Sequence, residues 1–95
     1  MAPLSTLQRY ILRTALAVQK VEIKRDMFLD YYQRKHAPIS IDSLTRAIER
    51  LIDRGFLIGY GRRTPKKWFI ETVRLTGVGR KQAKELYGKQ TNFNW

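Results

Sequence analysis

Four cations and no acid occupy the seven residues Gly61-Arg62-Arg63-Thr64-Pro65-Lys66-Lys67. Like charges that close repel one another, so the arrangement costs stability until an anion relieves it. Guanidinium and ammonium groups in such a row make no bonds of their own. What they do well is hold phosphates or carboxylates. The side chains that usually carry catalysis are sparse. His36 is the single histidine; it precedes a proline turn and has no acid near it in sequence, as a solvated loop histidine would. Asp26 and Asp30 stand four apart, a spacing that could hold a metal on a helix, but there is no cysteine and no second histidine to complete a ligand set. Beside Lys24 and Arg34 they read as a solvated face. No phosphate-cradling glycine loop and no nucleophile elbow is present. The sequence therefore reads as no enzyme, with no catalytic residue, no cofactor and no metal.

The whole-chain balance agrees with the local one. Nineteen Lys and Arg against eight Asp and Glu leave a formal charge of +11 over 95 residues. A chain so basic points to a polyanion, nucleic acid first and an anionic membrane surface second. The hydrophobic content, 43%, is that of a globular protein, and the length suits one small domain. The absence of cysteine excludes a disulfide scaffold and cysteine zinc sites. No apolar run reaches the length of a membrane span, and the opening residues lack the apolar stretch of a signal peptide. The expected setting is cytoplasmic, on the nucleoid if the source is prokaryotic.

Turn and cap signals divide the chain into short elements. Ser5, with Gln8 three residues on, makes a capping box, and Leu7, Ile11, Ala15 and Val18 follow at helical spacing. The first helix is predicted from about Thr6 to Gln19. Val21-Glu22-Ile23 alternates as a short strand would. Ile23, Met27, Phe28 and Tyr31 mark a second helix ending near Lys35, because Pro38 disfavours helix at Ala37. Ser40 caps a third, over about 41–54. Its Leu44, Ile48, Leu51 and Ile52 share one side, while Asp42, Ser43, Arg46, Glu49, Arg50 and Asp53 share the other. Gly55 stops this helix, with Leu51 and Phe56 at the spacing of a Schellman cap.

Two strand-like runs follow, Phe56 to Tyr60 and Trp68 to Leu75. Taken as simple alternation, neither face of the second is purely apolar. The basic stretch between them is then the projecting tip of a hairpin. Thr76 caps a last helix to about Tyr87, with Ala83 and Leu86 inward. Residues 5–87 would make the core of the domain, and 88–95 a tail without helical pattern. The aromatics Tyr31, Tyr32, Phe56, Trp68 and Phe69 read chiefly as core or wing packing, with stacking on single-stranded bases as the other use of such rings.

The fold class is α+β, in the order helix, short strand, helix, helix, strand, strand, helix. From Ser40 onward the residues resemble winged helix-turn-helix regulators of the MarR type. Ser43-Leu44-Thr45-Arg46-Ala47-Ile48-Glu49-Arg50-Leu51 is similar to their recognition helix. Gly55-Phe56-Leu57-Ile58 matches the glycine and apolar pair that follow it. Leu75-Thr76-Gly77-Val78-Gly79-Arg80 matches the Leu-Thr-x-x-Gly-Arg run that closes their basic hairpin, the wing.

The resemblance implies double-stranded DNA as partner and a role as a small transcriptional regulator. The third helix would enter the major groove, with Ser43, Thr45 and Arg46 near base edges and Arg50 at a phosphate. Arg62, Arg63, Lys66 and Lys67 of the wing, 61–67, would lie on the backbone or in the minor groove. Arg80 and Lys81 would meet the backbone at the start of the last helix. In a rival reading, Gly77 to Ala83 forms the phosphate-holding turn of a helix-hairpin-helix. A homodimer, if formed, would use the first helix or the C-terminal segment. The competing function class is an interaction module that docks a protein or structured RNA, which the outward acids of the third helix favour.

Overall fold

The computed structural model describes residues 3–18, 21–35 and 38–90. His36 and tail residues 91–95 lie outside them. The elements are α1 (Thr6–Val18), β1 (Ile23–Lys24), α2 (Arg25–Lys35), α3 (Ile41–Asp53), β2 (Leu57–Arg63), β3 (Trp68–Leu75) and α4 (Gly77–Gln90), in the order the sequence implies. The strands form one antiparallel sheet, β1-β3-β2.

Helix α1 opens on the expected reciprocal cap. The Ser5 N–H donates to Gln8 Oε1 at 2.9 Å, and the Gln8 N–H donates to Ser5 Oγ at 3.1 Å. Gln8 is buried, so the cap also satisfies an amide that would otherwise be costly to bury. Ile23 is corrected: it does not head the second helix but pairs with Val73 in β1, fully buried. A strand residue just before a helix can fall into register with the helix's apolar positions without belonging to it.

Two further boundaries move, and one strand carries a bulge. Strand β2 continues through Gly61, Arg62 and Arg63, so the turn is shorter than the seven-residue tip read from sequence. Sheet pairing jumps from Tyr60↔Thr72 to Gly61↔Ile70, leaving Glu71 as an extra residue in β3. This bulge explains why simple alternation gave no apolar face. Trp68 and Ile70 point inward before it, and Val73 and Leu75 after it. Gly61 serves the bulge with φ of 157°, and a Cβ there would collide with the Phe69 carbonyl. Helix α4, in turn, passes the predicted end at Tyr87 and runs to Gln90. Gly88 does not stop it, since one glycine costs a helix only about 1 kcal/mol relative to alanine.

The core is continuous across the elements: Ile11, Leu12, Phe28, Leu44, Ile48, Leu51, Leu57, Ile70 and Val73 are all buried. Helix α3 ends in the expected Schellman cap. The Phe56 N–H donates to the Leu51 carbonyl and the Gly55 N–H to that of Ile52, each at 2.9 Å, with Gly55 at φ 81°. The same corner receives α4. Thr76 Oγ1 donates to the Gly55 carbonyl at 2.6 Å and accepts from the Gly79 N–H at 2.9 Å. The Thr76 N–H donates to the Phe56 carbonyl at 3.1 Å. The Leu-Thr-x-x-Gly-Arg run is thus a joint between the end of α3, the root of the hairpin and the start of α4.

Candidate nucleic-acid interface

Ser40 positions the exposed face of α3. Its Oγ accepts from the Ser43 N–H at 3.1 Å and donates to Ser43 Oγ at 3.0 Å. Ser43 is therefore fixed in the first turn. Arg46 and Arg50 follow on the same stripe, and with Ser5 and Leu7 they line a shallow groove of about 260 Å³ beside α1. Asp42, Glu49 and Asp53 form a parallel acidic stripe next to them. Asp42 makes no ion pair with Arg46; among the described residues, none of Arg46, Arg50, Arg62, Arg63, Lys66 and Lys67 is in an ion pair.

One position on α3 differs from the sequence reading. Thr45, expected beside Arg46 near base edges, is 8% exposed. It lies on the flank next to Ile52, where the body covers it. Arg54, which continues the basic row in sequence, turns back over the Phe56 ring at 5.2 Å.

The hairpin tip is built by Thr64. Its N–H donates to the Lys67 carbonyl at 2.8 Å, its Oγ1 accepts from the Lys67 N–H at 3.0 Å, and the hydroxyl donates back to the Lys67 carbonyl at 3.0 Å. Pro65 and Lys66 complete the turn, with φ of the proline already suited to it. Removing the hydroxyl, Thr64→Ala, is expected to cost about 0.5–1.5 kcal/mol in denaturant unfolding. A midpoint unchanged from the parent would show that backbone pairing alone holds the turn.

All seven residues of the basic stretch are exposed. Three of its four cations rest on rings. Arg63 sits 4.3 Å from the Trp68 centroid, and Arg62 and Lys67 sit 5.1 and 5.3 Å from that of Phe69. Sequence reasoning saw the two rings but not this use of them. The signal was there in principle, because a two-residue connection between Thr64 and Lys67 places Arg63 opposite Trp68 and Arg62 opposite Phe69. A base stacking on either ring would have to compete with the cations already beside it.

Arg80 and Lys81 are exposed on α4, but the structure does not bring them to the groove of α3. Arg80 lines a separate cavity of about 690 Å³ with Arg74 and Lys84, and Lys81 shares a shallow surface with Arg80 and Glu85. The helix-hairpin-helix reading of Gly77 to Ala83 is overturned. A strand, β3, precedes these residues where that motif needs a helix, and Thr76 already takes the Gly79 N–H. Among the described residues no group of acids and histidines is placed to hold a metal, and no helix is long and apolar enough to cross a membrane.

No protein-family model matches the sequence, and no curated protein matches it. Solved structures do resemble it. The adhesin competence repressor AdcR from Streptococcus pyogenes superposes with a TM-score of 0.68 at 20% identity, over 94% of this chain and 59% of AdcR. F93 from STIV, a winged-helix DNA-binding protein, gives 0.65 at 22% identity, over 90% of this chain and 89% of F93. MarR from E. coli gives 0.61 at 19% identity, over 90% of this chain and 58% of MarR. The chain thus spans less than two thirds of AdcR and of MarR. The likeness, together with the helix pair α2–α3, the hairpin and the closing joint, establishes that this chain has the winged helix-turn-helix fold seen in MarR-type proteins.

Proposed function

We propose that the chain binds double-stranded DNA and acts as a small transcriptional regulator. One observation carries the reading. On a winged-helix scaffold, both the exposed helix and the hairpin present cations that, among the described residues, no ion pair neutralises. Ser43 and Arg46 are the groups for base edges in the major groove, and Arg50 is the group for a phosphate. Arg62, Arg63, Lys66 and Lys67 meet the backbone or the minor groove. Arg80 and Lys81, on a different surface, contribute only where the duplex bends toward α4. The names of the similar structures, a repressor and a DNA-binding protein, support the same reading. A homodimer formed through α1 or the C-terminal segment would read a palindromic site, and a cytoplasmic setting goes with this role.

The test is a selection of bound sites from random duplexes, run across a salt series beside structured RNA of similar length. One enriched motif with a steep salt dependence is the expected result. Arg46→Ala should then cost about 1–3 kcal/mol on that motif and relax it at one position. Equal loss on cognate and random DNA would remove Arg46 from base reading. The acidic stripe of Asp42, Glu49 and Asp53 favours a second reading, docking of a protein or structured RNA. Tighter binding to the RNA, or weak DNA binding with no enriched motif, would select it.

A further inference from the structure

The wing cations are not simply crowded; they are sorted onto two faces and seated. Side chains of β2 alternate, so Arg63 follows Leu57, Gly59 and Gly61 on the face turned to α3, and Arg62 follows Ile58 and Tyr60 on the opposite face. The ring on the α3 side is itself held. Trp68 is partly buried against the core, and its ring lies over Gly59, where a Cβ would come within 3.0 Å of Trp68 Cη2 and 2.8 Å of Ile52 Cδ1. A tryptophan laid over a glycine, in space that a side chain there would need, gives Arg63 a floor. On the other face Phe69 carries both Arg62 and Lys67.

We propose that Trp68 and Phe69 are positioning residues of the wing, which hold Arg63 on one face of the hairpin and Arg62 with Lys67 on the other, ready for phosphates on both sides. The inference deepens the DNA-binding reading and rests on it. An arginine on a flexible stem loses rotamer freedom when it binds an anion; one already stacked has given up part of it beforehand. A guanidinium over a ring face keeps N–H donors free for an anion. Cations on two opposite faces suit a groove walled by two phosphate rows better than a single flat row. A lysine is held over a ring as a point charge only, as Lys67 is over Phe69, so Arg63→Lys keeps the charge and weakens the seat.

The experiment has two arms. In the free protein, NMR should find the Arg63 side-chain protons shifted upfield by the Trp68 ring, and Trp68→Leu should abolish the shift. With DNA, Arg63→Lys should weaken binding about two- to five-fold in the parent and hardly at all in Trp68→Leu. Phe69→Leu with Arg62→Lys repeats the cycle on the exposed face, where the variant does not touch the core. Unfolding midpoints of each variant separate a loss of fold from a loss of seating. Upfield shifts together with non-additive losses support the proposal. Ordinary Arg63 shifts in the free protein overturn it, whatever the DNA result. Additive losses in both cycles overturn it as well. A parent chain with the ring shift but no DNA binding brings down the DNA reading, and this inference with it.

Discussion

Gly79→Ala is expected to lower stability by about 3 kcal/mol or more, at or beyond the upper end for an overpacked core site. In a chain of this size that is a fall in Tm of about 12–24 °C. Gly79 is buried in the first turn of α4, and a Cβ there would collide with the backbone carbonyl of Phe56. A side chain in the way can rotate aside; a carbonyl in the corner between α3 and β2 cannot. That carbonyl also accepts from the Thr76 N–H, so moving it breaks a hydrogen bond at the same joint. Gly77, two residues earlier, is the control. A Cβ there meets nothing within 4 Å, and Gly77→Ala should be neutral or stabilise by up to about 1 kcal/mol through the unfolded chain. Thermal unfolding of the two variants side by side decides the matter. If they melt together, Gly79 is not a close-approach site.

The second large effect is on binding. Replacing Arg62, Arg63, Lys66 and Lys67 together by alanine should reduce the slope of log K against log salt by about 3–4, one increment of counterion release for each phosphate the wing no longer neutralises. At physiological salt that corresponds to a loss on the order of a hundred- to a thousand-fold, on cognate and random duplexes alike. The loss falls evenly because the phosphate backbone carries no sequence information. The fold should survive, since all four side chains are exposed and the turn is made by Thr64. Relieving the mutual repulsion offsets part of what removing the stacks on Trp68 and Phe69 costs. An unchanged salt slope in the folded variant would place the DNA backbone elsewhere on the molecule.

The parts of the fold that were legible in the sequence are those set by local chemistry. Ser5 with Gln8, Ser40, Gly55 and Thr76 announce helix ends because each side chain or missing Cβ satisfies backbone groups within a few residues. The amphipathic period of α3 located its buried and exposed sides. What local chemistry does not set was missed. The bulge at Glu71 depends on how β3 lies against β2, and one extra residue inverts the inward set from there on. Thr45 sits at the edge of the apolar arc, where only the neighbouring elements decide whether it is covered. The seating of Arg62 and Arg63 needs the turn length, and the shorter turn becomes visible only once Thr64 is seen bonding to Lys67. Of the candidate site, Ser43, Arg46 and Arg50 share one groove and the wing cations one hairpin tip, while Arg80 and Lys81 line other surfaces of the molecule.

The joint itself has a mechanical meaning. Thr76 ties the last carbonyl beyond α3 to the first turn of α4, and Gly79 lets the two backbones lie against each other with no side chain between them. Surfaces joined in that way do not slide. The base of α3, the root of the hairpin and the first turn of α4 are therefore fastened at one corner by a few hydrogen-bonded residues.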